Sequence, residues 1–102
     1  MNELRTINRV TVYAESTLSQ SLLERFVALG SKGYTVVECS GQGEHPAVDD
    51  PFGPGNKFVR IELLVQPAVA DRIMHFLKTH ERRKHAIAAS VEEVKVLADE
   101  DF

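Results

Sequence analysis

Cysteine is nearly absent from this chain. Cys39 stands alone among 102 residues, which excludes an intrachain disulfide and a cysteine-based zinc centre. Positive charge is not in surplus either. Twelve lysines and arginines face fifteen aspartates and glutamates, for a net charge of −3. The two signs are mixed along the sequence, so there is no basic footprint for duplex nucleic acid. No apolar run is long enough to span a bilayer, so direct membrane insertion is not expected. The start, Met1-Asn2-Glu3-Leu4, lacks basic residues followed by an apolar stretch. No secretory signal is expected, and the cytoplasm is the default compartment. There is no internal repeat and no low-complexity tract. No nucleophile, base and orienting group occur at a recognisable spacing, which speaks against enzyme chemistry.

Turns are scarce except in one place. Four of the six glycines and three of the four prolines fall between Gly41 and Lys57. A hairpin between two strands normally needs two to five loop residues. A loop this long inside a single small domain, here residues 1–102, asks for a function or for disorder. A chain of this size buries only one modest core, so association with copies of itself would help it.

The rest of the chain reads as regular structure. Residues 7–14 alternate as a strand, with Val10, Val12 and Ala14 on one face and Arg9, Thr11 and Tyr13 on the other. Thr17 and Gln20 have capping-box spacing for a helix, with Ser16 as another possible cap. Leu18, Leu22, Phe26 and Leu29 form its apolar stripe, widened by Leu23 and Val27. Gly30 is its natural stop. A second strand runs from Tyr34 to Ser40, and its buried face is undecided between Tyr34 with Val36 and Val37 with Cys39. After the long loop, Val59, Ile61, Leu63 and Val65 alternate with Arg60, Glu62, Leu64 and Gln66. Pro67 then suits the first turn of a helix, with Val69, Ile73, Met74, Phe76 and Leu77 as the stripe and an end near His80. Residues 81–85 form a charged connector. A last strand covers residues 87–97, with a possible break at Glu92 and Glu93. Residues 98–102 form a short acidic tail, expected to be mobile.

This order is strand, helix, strand, strand, helix, strand. It predicts an α+β, ferredoxin-like fold: a four-stranded antiparallel sheet with two helices on one face. The other face would carry Tyr13, Leu64 and Phe58 among polar residues. Nothing in the chain remains to cover it, which suggests burial against other subunits.

Few residues could carry chemistry. Gly41-Gln42-Gly43 follows a strand, where glycines let backbone N–H groups surround an anion; equally, they permit a sharp exit from the strand. Arg82, Arg83 and Lys84 could clasp a phosphate or carboxylate, or form a solvated turn favoured by the helix dipole. His45, Asp49 and Asp50 match no metal-ligand spacing and read as loop polarity. His75, His80 and His85 do not share a helix face and read as surface or packing residues. Cys39 reads as a small strand hydrophobe.

At Gly30-Ser31-Lys32-Gly33-Tyr34-Thr35-Val36, followed by Gly41-Gln42-Gly43, the chain resembles the PII-like signalling proteins, most closely their SbtB-type, carboxysome-associated branch. The resemblance covers the element order from Arg9 to Leu97 and is specific in residues only from Gly30 to Gly43. It implies a homotrimer with adenine nucleotide, ADP or AMP, in the clefts between subunits. It implies a T-loop over about 41–57 that regulates a partner and a B-loop over about 81–86. Lys32, Gly33, Tyr34 and Thr35 match the strand entry beside the base or ribose. Gly41, Gln42 and Gly43 match the T-loop base. Arg82, Arg83 and Lys84 match the B-loop by location. Bicarbonate as a second ligand, and a bicarbonate transporter or carboxysome-related protein as partner, belong to the same implication, as does the lack of a catalytic cofactor.

The departures are specific. The loop has no tyrosine for uridylylation. No cysteine-bearing extension follows Phe102, so redox gating is not expected. Glu44 and His45 stand where the branch has a small polar residue and an arginine. Two other classes stay open: a metal-dependent hydrolase or isomerase using His45, Asp49 and Asp50, and a scaffold module with no small ligand.

Overall fold

The computed structural model describes residues 3–40, 57–82 and 84–102. Four strands form one sheet in the order β2-β3-β1-β4, with β1 at Leu4–Glu15, β2 at Thr35–Cys39, β3 at Phe58–Val65 and β4 at Ala88–Leu97. Every neighbouring pair is antiparallel. Helices α1, Ser19–Ala28, and α2, Pro67–Phe76, pack together on one face. This is the ferredoxin-like α+β arrangement that the element order predicts.

The core follows from the alternation. Val10, Val12 and Ala14 of β1 and Val59, Ile61, Leu63 and Val65 of β3 are buried beneath Leu22 and Phe26 of α1 and Ile73 and Phe76 of α2. Each large side chain buried there contributes roughly 1.5–3 kcal/mol. The central strands therefore carry the core, while the edge strands carry little of it. On β2 the pairing puts Val36 beside Ile61, on the helix side, and Val37 beside Arg60, on the open side. Their exposures are 37% and 38%, so neither face of this edge strand is truly buried. That is why alternation alone left the choice undecided.

Several expectations are corrected. β1 is longer than residues 7–14, because β4 pairs with it down to Leu4. The capping box at Thr17 does not form. A 3₁₀ turn, Ser16–Leu18, leads into α1, and the serine hydroxyls of Ser19 and Ser21 donate to the carbonyls of Ser16 and Leu18. β4 runs unbroken through Glu92 and Glu93, because Glu92 lies opposite Arg9 and bonds to its guanidinium. The segment after β4 is not a loose tail: the amide of Ala98 donates to the carbonyl of Glu3 at 2.8 Å, and side chains hold the residues beyond it. Pro67 does open α2 as expected.

Candidate functional site

The turn from α1 into β2 is closely specified by its backbone geometry and hydrogen bonds. Gly30 has φ +121°, which an L side chain rarely adopts. Its amide donates to the carbonyl of Val27, and that of Ser31 to the carbonyl of Phe26, both at 3.0 Å. These two bonds make a Schellman ending for the helix. Arg72 of α2 donates through Nε to the carbonyl of Leu29 at 3.1 Å. A Cβ on Gly30 would lie 3.1 Å from both Val69 and Arg72 side-chain atoms. Ser31 is buried, and its hydroxyl donates to the carbonyl of Gly33 at 2.7 Å. The chain thus enters β2 in a fixed pose.

Lys32, Gly33, Tyr34 and Thr35 line one side of an open cavity of about 430 Å³. Arg9 of β1 and Glu62 and Leu64 of β3 form its floor, and Asp101 and Phe102 close another side. The floor belongs to the open face of the sheet, since these positions alternate with the buried core residues. Tyr34 is 53% exposed, so its ring is available to a ligand.

The charges around this cavity are already paired. Arg9 donates to Glu92 through Nε at 2.8 Å and through Nη2, and lies 3.8 Å from Glu62. The hydrogen bond to Glu92 and then its negative charge hold the Arg9 guanidinium above its ordinary pKa, against a desolvation cost. Arg60 reaches Glu62 at 3.7 Å. Lys32 Nζ donates to Asp101 Oδ1 at 2.6 Å. That bond, and then the lysine charge, pull the Asp101 carboxyl below its usual range.

The basic turn lies elsewhere. After Phe76 the helix widens into a π turn, Leu77–Glu81, closed by the amide of Arg82 donating to the carbonyl of Leu77 at 2.8 Å. Such turns recur at functional sites. The amides of Lys84 and His85 both donate to the carbonyl of Glu81 at 3.0 Å. Arg82 and Lys84 are exposed, and among the described residues neither side chain has an ion-pair partner. Arg82 borders a small cavity with Leu77, Ile87 and Ala89. Ala89 pairs with Val12, a core residue, so Arg82 stands on the helix side of the sheet.

The strand registers place the two regions at opposite ends. Ala88, Tyr13, Arg60 and Val37 form one row across the sheet. The basic turn immediately precedes this row, and the long loop leaves and returns beside it, because Cys39 pairs with Phe58. Residues 32–35 lie at the other end of β2, about 13 Å away at strand rise. The structure thus gathers Lys32, Gly33, Tyr34 and Thr35 at one cavity and sets Arg82 and Lys84 at the far end, Arg82 on the other face. Gly41, Gln42, Gly43, His45, Asp49, Asp50 and Arg83 lie outside the described residues. No group of side chains able to hold a metal occurs among the described residues. Cys39 is half-buried, and its Sγ lies 3.5 Å from the carbonyl of Val37.

Sequence reasoning missed Arg9, Glu62, Leu64, Asp101 and Phe102. The first three had a signal, since alternation already placed them on the face that the helices leave open. The last two had none, because nothing local fixes where residues 98–102 turn.

The profile of the family described as nitrogen regulatory protein P-II matches residues 7–101. A PII-like signalling protein of Thermus thermophilus is 33% identical in sequence, with a TM-score of 0.77 over 94% of both chains. CPII of Thiomonas intermedia K12, a structure bound to ADP, AMP and acetate, is 19% identical, with a TM-score of 0.79 over 93% of this chain and 92% of that one. A CPII structure bound to ADP, AMP and bicarbonate is 18% identical, with a TM-score of 0.75 over 91% and 94%. Comparison with curated proteins gives no match.

Proposed function

Because this chain belongs to the nitrogen regulatory protein P-II family, we propose that it is a non-enzymatic signalling subunit. It acts in the cytoplasm as a homotrimer and binds ADP or AMP in the clefts between subunits. The observation that carries the reading is the separation of its two candidate half-sites. The cavity of residues 32–35 opens on one face and at one end of the sheet. The exposed Arg82 stands on the other face at the other end. A single nucleotide touching both must take them from two chains.

The division of labour follows from the side chains. Leu64 and the exposed ring of Tyr34 offer apolar surface to a planar base. The Glu62 carboxylate is an acceptor suited to an exocyclic amino group. Arg82, Arg83 and Lys84 of the adjoining subunit supply cations for phosphate, joined by the backbone of Gly41, Gln42 and Gly43. Occupancy then biases the 41–57 loop by the difference in ligand affinity between its states, and the loop docks on a partner. The SbtB-type resemblance and the bicarbonate bound by CPII support a role in inorganic-carbon metabolism. A bicarbonate transporter or carboxysome-related protein would be the partner, and bicarbonate a second ligand.

Calorimetry with AMP, ADP and adenosine on a preparation shown trimeric by native mass spectrometry tests this. The expectation is one nucleotide per subunit, with Arg82→Ala and Arg83→Ala weakening AMP and ADP more than adenosine. A well-folded trimer that binds none of the three contradicts the reading.

A further inference from the structure

Residues 98–102 leave β4 and turn back across the open face of the sheet. Their course is fixed by contacts that are far apart in sequence. The Ala98 amide bonds to Glu3, the Arg5 guanidinium donates to the Glu100 carbonyl, Lys32 pairs with Asp101, and Gln66 Nε2 donates to the Phe102 carbonyl at 3.3 Å. Ile7 reports the result. By register it lies on the open face opposite Val94, outside the core between sheet and helices, yet its exposure is 0%. Gln66 is next in register beside it, after the pairing of Val65 with Asn8. A segment tied to Arg5 and to Gln66 passes over Ile7.

The same segment takes up the one lysine of the cavity. Arg9 is held by Glu92 and Glu62, and Lys32 by Asp101. An anionic group entering the cavity meets a Lys32 ammonium whose charge the Asp101 carboxylate already neutralises, and competes with that carboxylate for it. We propose that residues 98–102 are a built-in strap, latched by Asp101 on Lys32, that competes with a phosphate-bearing ligand for this cavity. The ligand half of this rests on the nucleotide reading above; the latch does not.

The test uses the full chain and the variant Asp101→Asn, which keeps the shape of the side chain and removes its charge. Lys32 acylation by an amine-reactive ester is read against the exposed Lys95 as internal reference. The latch predicts that Lys32 labels roughly two- to five-fold faster in the variant, the range expected for an exposed pair. Hydrogen exchange at Ala98 should quicken as well, and also in Phe102→Ala. Equal Lys32 labelling in both proteins overturns the latch. AMP is then the ligand probe. Competition predicts tighter AMP binding in Asp101→Asn, by roughly two- to five-fold, with adenosine unchanged and with AMP speeding Ala98 exchange in the wild type. Weaker AMP binding in the variant, or AMP binding that leaves Ala98 protected, makes the strap a wall instead and overturns the competition. If AMP does not bind to either protein, the nucleotide reading and the competition fail together, while the labelling comparison still decides the latch.

Discussion

The two ends of this sheet are built on opposite principles. At the end where residues 32–35 enter β2, the backbone is pinned by a Schellman ending and a buried serine, and the two cations of the cavity, Arg9 and Lys32, are paired. At the other end a π turn presents Arg82 and Lys84 to solvent without a partner among the described residues. One end has shape with its charge neutralised; the other has charge with little shape. Neither is a complete anion site alone. On the function proposed above, one chain carries two complementary halves, and assembly would complete the site.

The largest way to break the contrast is to remove what both ends share. Phe26 is fully buried where α1 meets the sheet, and Phe26→Ala should cost about 3–5 kcal/mol in urea unfolding. Both ends should loosen together in hydrogen exchange. Gly30→Ala is more selective. Its positive φ and the 3.1 Å approach to Val69 and Arg72 predict a loss of about 1–3 kcal/mol, with exchange rising around residues 31–35 and unchanged around 82–85. A uniform rise would mean that the ends are not independent.

A weaker perturbation addresses charge alone. Arg82→Ala combined with Lys84→Ala should leave stability within about 0.5 kcal/mol, because both side chains are exposed. AMP affinity should fall about ten-fold or more, the worth of a charge-assisted bond, with adenosine affinity spared. Loss of adenosine binding would place these residues at the base and not at the phosphate. The smallest effect is that of pH on the strap. The folded Asp101 carboxyl titrates below its unfolded value because of Lys32. Its contribution is therefore fully present above the ordinary aspartate pKa of about 3.9 and is lost as pH falls through the lower, folded value. Exchange at Ala98 should show no strap-opening step from pH 8 down to about 5 and should quicken only in the acid range. A step near neutrality would point to a histidine, not to Asp101.

Much of the fold was legible because its central strands are governed by alternation. Val10, Val12 and Ala14, and Val59 through Val65, announce one buried face each, and Gly30 and Pro67 mark helix limits by backbone chemistry that acts locally. The edge strands were less legible for a physical reason. β2 is half-exposed on both faces, and Val91, beside Val10 on the core side, is still 45% exposed. Burial leaves no strong pattern there. Ile7 shows the limit most clearly: it breaks the alternation of its strand because a segment ninety residues later covers it, and no window along the sequence contains both. Lys32 through Thr35 were found by resemblance to a motif, while Asp101 and Phe102 join the same cavity through long-range contacts that no motif records.

The most direct measurement mixes two defective chains. One carries Glu62→Gln with Leu64→Ala, which spoil the cavity; the other carries Arg82→Ala with Lys84→Ala. Each should bind AMP poorly as a pure assembly. Unfolded and refolded together in equal amounts, they should recover wild-type AMP affinity in roughly a quarter of the clefts, those pairing an intact cavity with an intact basic turn. Mixed assemblies confirmed by native mass spectrometry that recover no binding would contradict a site shared between chains.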